Sequence, residues 1–267
     1  MNDFYRRLIT GIVGVGLVIP ALILSPYGLW FFAMVVSIVS LYEYYQGMGI
    51  QEGHYKWPAL AIGLIFWAMV ILQDLMSLPE HILLYLVVAI LPVLQIITLY
   101  DSSEKRPVER VSTILMGYVY VILPFFLMYQ LGAKLYTPYN FYLPLGILVL
   151  TWTLDVMAYI FGRFLGGPLL FERVSPKKTW SGAIGGAISC LIVGLLMQYF
   201  IGGFDWWIVA IILSVTSQLG DLIESMFKRS VKLKDSGTVL PGHGGMLDRF
   251  DGLFTALPFL YLYFLLA

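Results

Sequence analysis

Charge is scarce in this chain. Asp, Glu, Lys and Arg together supply 12% of its 267 residues, against about 25% in an ordinary soluble domain. That deficit excludes a surface solvated by water over most of its area. Cysteine is nearly missing as well. Cys190 is the single one, so neither an internal disulfide nor a cysteine-built zinc site can form. It lies in an apolar stretch and reads as packing. Net charge is also absent: the formal balance is zero, so bulk charge attracts no polyanion and points to no nucleic-acid partner. Internal repeats, low-complexity tracts and a soluble domain are lacking too.

What fills the chain is apolar. Hydrophobic residues make up 60% of it, in recurrent stretches of the roughly 20 residues that a bilayer-spanning helix needs. Candidate spans fall at roughly 8–25, 28–47, 58–77, 81–100, 112–132, 142–162, 181–202, 206–227 and 247–267. The first follows Arg6 and Arg7. Its apolar run exceeds the usual 7–15 residues of a signal-peptide core, so it reads as a retained span. Ser25-Pro26-Tyr27 and Gly202-Gly203 with Asp205 mark tight turns between neighbouring spans.

The basic residues test this count. Arg6 and Arg7, Lys56, Lys105, Arg106, Arg110, Arg163, Arg173, Lys177, Lys178, Lys228, Arg229, Lys232, Lys234 and Arg249 all fall on one side of the alternation; Lys134 alone falls on the other. Positive residues favour the cytoplasm. The expectation is an all-α, polytopic integral membrane protein with about nine transmembrane helices and a cytoplasmic N-terminus. Composition divides it at residue 140. Residues 1–140 hold spans 1–5, with Glu43 and Asp74 as their intramembrane acids. Residues 141–267 hold spans 6–9, most of the polar groups, and the cytoplasmic loops 163–180 and 228–246.

Polar chemistry concentrates between Gly220 and Gly252, where ten residues are charged, five of each sign. Asp221 and Glu224 stand three apart near the end of span 8, and Asp248 and Asp251 three apart at the start of span 9. That spacing puts each pair on one helix face. Intramembrane carboxylates are costly and usually face a cavity or a partner. Asp221, Asp248 and Asp251 are therefore candidate ligands for a hard cation such as Mg²⁺, although pairing with Lys228, Arg229 and Arg249 would also explain them. Lys228, Arg229, Lys232 and Lys234 suit a phosphate clamp or an anchor to anionic headgroups. His243, Gly244 and Gly245 lie in a loop whose backbone can approach an anion; a plain turn is the simpler reading. Ser175, Lys177, Lys178 and Thr179 precede span 7 and suit a phosphate at a helix start, or a simple N-cap. Asp155 lies within span 6 as a further intramembrane acid. The Tyr- and Trp-rich edges fit interfacial belts.

At these residues the chain resembles the phosphatidate cytidylyltransferases. Their signature stands here as Ser225, Lys228-Arg229, Lys234-Asp235, His243-Gly244-Gly245, Asp248-Arg249 and Asp251. Ser175-Pro176-Lys177-Lys178-Thr179-Trp180 resembles a second motif, and Asp155, Ala158, Tyr159, Phe161, Gly162 and Arg163 a third. Ser181-Gly182 replaces a frequent Glu-Gly, and Val156 and Met157 replace small residues. A short chain without soluble extensions suggests a bacterial inner membrane, and the basic loops put the site towards the cytoplasm. The resemblance implies the reaction of CTP with phosphatidate to give CDP-diacylglycerol and pyrophosphate, with Mg²⁺ and room for a second cation. Asp221, Lys228, Arg229, Asp248 and Asp251 would carry the chemistry. Ser175, Lys177, Lys178, Thr179, Lys232, Lys234, His243, Gly244, Gly245, Arg249 and Asp155 would bind substrate. A homodimer is compatible with the family. Asp248-Arg249-Phe250-Asp251-Gly252 also matches the opening of the CDP-alcohol phosphotransferase motif, but Thr255 and Ala256 break that match. An ion-coupled transporter would also place acids in its spans, yet it usually carries a repeat.

Overall fold

The computed structural model describes residues 3–50, 55–79, 81–101, 105–135, 139–240, 242 and 244–267. Among them the chain runs as helices α1 (Asp3–Leu24), α2 (Pro26–Gly47), α3 (Lys56–Met76) and α4 (His81–Leu99), then α5 (Pro107–Ala133) and α6 (Tyr142–Leu165). A short hairpin of β1 (Leu169–Phe171) and β2 (Ser175–Thr179) follows, then α7 (Trp180–Phe200), α8 (Trp206–Ser230) and α9 (Leu247–Leu266). Seven of these helices are long and apolar enough to cross a membrane: α2, α3 and α5 to α9. In α1 and α4 the described apolar stretches are shorter, Val13–Leu24 and Val88–Leu99.

The hairpin departs from the all-α expectation. Its antiparallel strands pair Leu169 with Thr179 and Phe171 with Ser175. The Ser-Pro-Lys-Lys-Thr run is therefore extended, as the residue before a proline tends to be, and helix begins only at Trp180. Local chemistry sets other boundaries. Ser25 accepts the Gly28 N–H at 3.2 Å and Pro26 occupies the first turn of α2, both helix-start preferences. Within α5, Tyr118–Ile122 forms a π-helical turn, a local widening often found at functional sites.

Lipid supplies no hydrophobic drive for helices to pair, so close packing at small residues must do so. A Cβ on Gly182 of α7 would lie 2.6 Å from the Ala158 carbonyl of α6, and one on Gly186 2.9 Å from that of Leu154. A Cβ on Gly194 of α7 would lie 2.7 Å from the Trp206 carbonyl of α8, and one on Gly220 of α8 would lie 2.8 Å from the Asp251 carbonyl of α9. These approaches join α6, α7, α8 and α9 in series. Aromatic contacts tie the other half on: Phe250 of α9 lies edge-on to Phe32 of α2 at 6.0 Å and to Phe125 of α5 at 5.6 Å. The compositional divide at residue 140 is thus not a divide in space. At the end opposite the long loops, Lys134 pairs with Asp74, which also accepts the Tyr129 hydroxyl proton.

Candidate active site

The close helix contacts bring acids from three helices to one groove. Asp155 (α6), Asp221 (α8) and Asp251 (α9) lie within electrostatic range of one another. Asp155 and Asp221 precede the loop-side ends of their helices by roughly 14 Å, at 1.5 Å per residue, so the groove penetrates well below the loops. Asp155 is accessible although protein fills most of the space around it. That combination marks a side chain in a groove rather than on a convex surface. Among the described residues it has no hydrogen-bond or ion-pair partner. Asp221 is paired with Lys178 from β2, and Ser225 approaches its other oxygen at 3.5 Å. Asp251 accepts the Gly252 N–H at 2.7 Å. Lys178 and Arg249 both act electrostatically on Asp155. The β2 strand therefore delivers a cation to the acids, a role its sequence position alone does not reveal.

A second cluster sits nearer the loops. Lys228 contacts Glu224 at 2.6 Å and Asp248 at 2.7 Å. Asp248 also accepts the Ser236 N–H, at 3.0 Å to one oxygen and 3.2 Å to the other, and the Gly245 N–H at 3.1 Å. Its carboxylate thus closes the 236–245 loop into a ring and is fully engaged there. The Gly245 N–H, in the loop expected to approach an anion, faces this protein's own carboxylate. Gly242 and Gly244 have φ of 77° and 83°, conformations that glycine adopts freely. Gly245 is required for closeness: a Cβ there would collide with the Ser236 hydroxyl. His243 lies outside the described residues.

The remaining candidates separate. Arg229, Lys232 and Lys234 are exposed; Arg229 donates to the Leu233 carbonyl at 2.8 Å, and Lys232 holds a φ of 60°. Lys177 is exposed and Ser175 half-buried. Thr179 accepts the Gly182 N–H at 3.2 Å, capping α7, and meets the Ser181 hydroxyl at 2.9 Å. The simpler N-cap reading accounts for that hydroxyl. Among the described residues no three acidic, His or Cys side chains converge tightly enough to hold an ion as they stand. The donor type in the deep groove, carboxylate oxygen, is nevertheless the type that Mg²⁺ takes. The Lys178 ammonium already places a positive charge on one of these carboxylates.

Two residues at the site were not candidates from sequence. Glu43 of α2 is 1% exposed and accepts the Leu247 N–H at 2.8 Å. Tyr120, in the π-helical turn, lines a small cavity with Glu43, Glu224, Lys228 and Ser236. Glu43 stood out as an intramembrane acid, but a contact across 204 positions leaves no spacing signal.

The family model described as the Cytidylyltransferase family matches residues 5–267. Over 268 residues the chain is 33% identical to a Staphylococcus aureus (strain COL) protein named phosphatidate cytidylyltransferase, covering 95% of this chain and 96% of that one. Proteins of the same name from Brucella abortus (strain 2308) and Brucella suis biovar 1 (strain 1330) are 49% identical over 129 residues. That match takes in 47% of this chain and spans about half, 48%, of the length of those relatives.

Proposed function

The chain belongs to the cytidylyltransferase family, and from that premise we propose that it converts CTP and phosphatidate to CDP-diacylglycerol and pyrophosphate. The observation that carries this reading is the set of three carboxylates, Asp155, Asp221 and Asp251, that face one groove beside Lys178. They lie at the membrane end that bears the basic loops. With nine spans and a cytoplasmic N-terminus this end faces the cytoplasm, because fifteen of the sixteen Lys and Arg residues fall on that side; the bacterial relatives favour a bacterial inner membrane.

Both substrates are polyanions and repel each other. A phosphatidate oxygen attacks the α-phosphorus of CTP; the new P–O bond forms as the bond to the β-phosphate bridging oxygen breaks. Pyrophosphate leaves with that electron pair. The attacking oxygen is already ionised near neutral pH, so no general base is required. Positioning and charge compensation dominate such transfers. Lys178 balances charge in the deep groove, and Lys228 does so beside the ring closed by Asp248. Lys177, Ser175, Arg229, Lys232, Lys234, Gly244 and Arg249 face the nucleotide phosphates or anionic headgroups around the groove mouth. Asp221, Asp251 and Asp155 would hold Mg²⁺. When bound, it neutralises phosphate charge and favours the leaving pyrophosphate. Asp248, engaged with the loop, orders the backbone that leads into α9, and its place beside Lys228 leaves it the donor for a second cation if that pair opens.

The test is lipid analysis. Detergent-purified protein given phosphatidate, CTP and Mg²⁺ is expected to yield CDP-diacylglycerol in the extracted lipid. Failure to form it, with release of CMP when CDP-diacylglycerol and an alcohol are supplied instead, would replace this reading by an alcohol phosphotransferase.

A further inference from the structure

We propose that Glu43, in the N-terminal half of the chain, is a positioning residue for this transfer: it fixes the start of α9 and the loop that leads into it, and through them Asp248 and Lys228. For the reaction it serves, the inference rests on the cytidylyltransferase reading; for the geometry, it does not.

A carboxylate that is 1% exposed is expensive unless hydrogen bonds compensate it. Glu43 finds its compensation in one place. It accepts the N–H of Leu247, the first residue of α9, at 2.8 Å, and the backbones of Met246 and Val239 also turn towards it. Helix N-termini leave N–H groups without intrahelical partners and favour negative charge. Met246, the residue before α9, supplies no side-chain cap of its own. Glu43 therefore caps α9 from another helix. The residue it holds adjoins Asp248, which in turn holds Lys228, Ser236 and Gly245.

The loop is shaped around this side chain. A Cβ on Gly245 would lie 2.7 Å from one carboxylate oxygen of Glu43, and a Cβ on Gly237 would collide with the other. Ser236 is 3.5 Å from the first oxygen. Mere filling of space would be served by leucine or methionine without the desolvation cost. The polar anchor therefore has a use beyond packing. The second oxygen of Glu43, the Tyr120 hydroxyl and both oxygens of Glu224, one of them ion-paired with Lys228, lack hydrogen-bond partners among the described residues. All three residues line the same small cavity, so the anchor reaches across to the helix carrying Lys228.

Glu43→Ala leaves the Leu247 N–H buried without a partner and frees the loop. A displacement near 1 Å at reacting groups costs about 100-fold in rate. Glu43→Gln keeps one acceptor oxygen for Leu247 and loses the charge. The experiment measures kcat and KM for CTP in wild type and both variants, with hydrogen exchange of peptides covering 236–248 and, as reference, of α3. The expected result is a fall of about 100-fold in kcat/KM for Glu43→Ala, with faster exchange confined to 236–248. Glu43→Gln should stay near wild type in both readouts. Wild-type kinetics and exchange in Glu43→Ala would overturn the proposal. So would a Glu43→Gln protein as inactive as Glu43→Ala with unaltered loop exchange, because charge and not anchoring would then matter. If Glu43→Ala exchanges fast everywhere, Glu43→Gln decides alone: slow loop exchange with activity supports anchoring, and fast loop exchange or lost activity contradicts it. If wild type forms no CDP-diacylglycerol, the reaction is wrong, while the exchange comparison still decides the anchor.

Discussion

Asp221 and Asp248 carry the same functional group on neighbouring helices, yet their surroundings differ. Asp221 meets one lysine and a distant serine hydroxyl in an open groove. Asp248 meets one lysine and two backbone N–H groups. Substituting Asp251 by Asn removes a charge from the deep groove without changing its size. Turnover should fall at least about 100-fold, the scale of losing one electrostatic contact to a transition state, with an unchanged elution profile in detergent. Full turnover would remove Asp251 from the site. Lys178→Met should raise KM for CTP and also lower kcat, because Lys178 joins β2 to Asp221 and on the proposed reading meets the reacting phosphates. Steady-state kinetics at saturating phosphatidate reads both. Sequence spacing was enough to single out these acids and lysines, because a carboxylate in an apolar span needs a reason. It could not reveal that Lys228 joins Glu224 to Asp248, nor that Glu43 holds Leu247. Those pairings follow from helix packing between segments far apart in the chain.

At the scale of elements, the site depends on how the helices begin and how closely they approach. Thr179 caps α7 at the end of the hairpin that presents Lys178. Thr179→Ala should cost about 1 kcal/mol, a fall of roughly 2–4 °C in melting temperature for a chain of this size, measurable by thermal unfolding in detergent. An unchanged midpoint would mean that the cap carries no weight. Seven of the spans readable as long apolar stretches are helices long and apolar enough to cross a membrane; Pro26 and Pro107, each in a first helical turn, start their helices a few residues before the apolar stretches do. The hairpin was not readable. Its strands are three and five residues long, too short for a period-two pattern, and a helix start and a strand both tolerate the same Ser-Pro-Lys-Lys-Thr run. The π-helical turn at Tyr118–Ile122 likewise leaves no mark in a uniformly apolar sequence.

For the whole molecule, the distribution of charge makes a prediction about direction as well as chemistry. Cys190 is buried and is the single cysteine, so a Cys190→Ser background makes topology measurable. A cysteine replacing Tyr142, the first residue of α6, should react with an impermeant thiol reagent applied outside intact cells. One replacing Lys105, before α5, should react only after the membrane is opened. The reverse pattern would invert the orientation, and reaction of both from one side would break the nine-span alternation. If that alternation holds, the acidic groove and the basic loops share the face where CTP is available. The N-terminal half looked like plain membrane anchor in sequence. Its contribution to the site, through Glu43 and Tyr120, emerges only once α2 and α5 pack against α9.

The most direct test of the central claim is pyrophosphate release by the detergent-purified protein. It is followed with CTP and phosphatidate together, with each omitted, and with excess EDTA in place of Mg²⁺. The account predicts release that requires both substrates and the metal, equals the CDP-diacylglycerol formed, and is lost in Asp251→Asn. Release without phosphatidate, or undiminished release in EDTA, would contradict metal-assisted transfer to the lipid phosphate; no release from folded protein across several lipid mixtures would contradict the reaction itself.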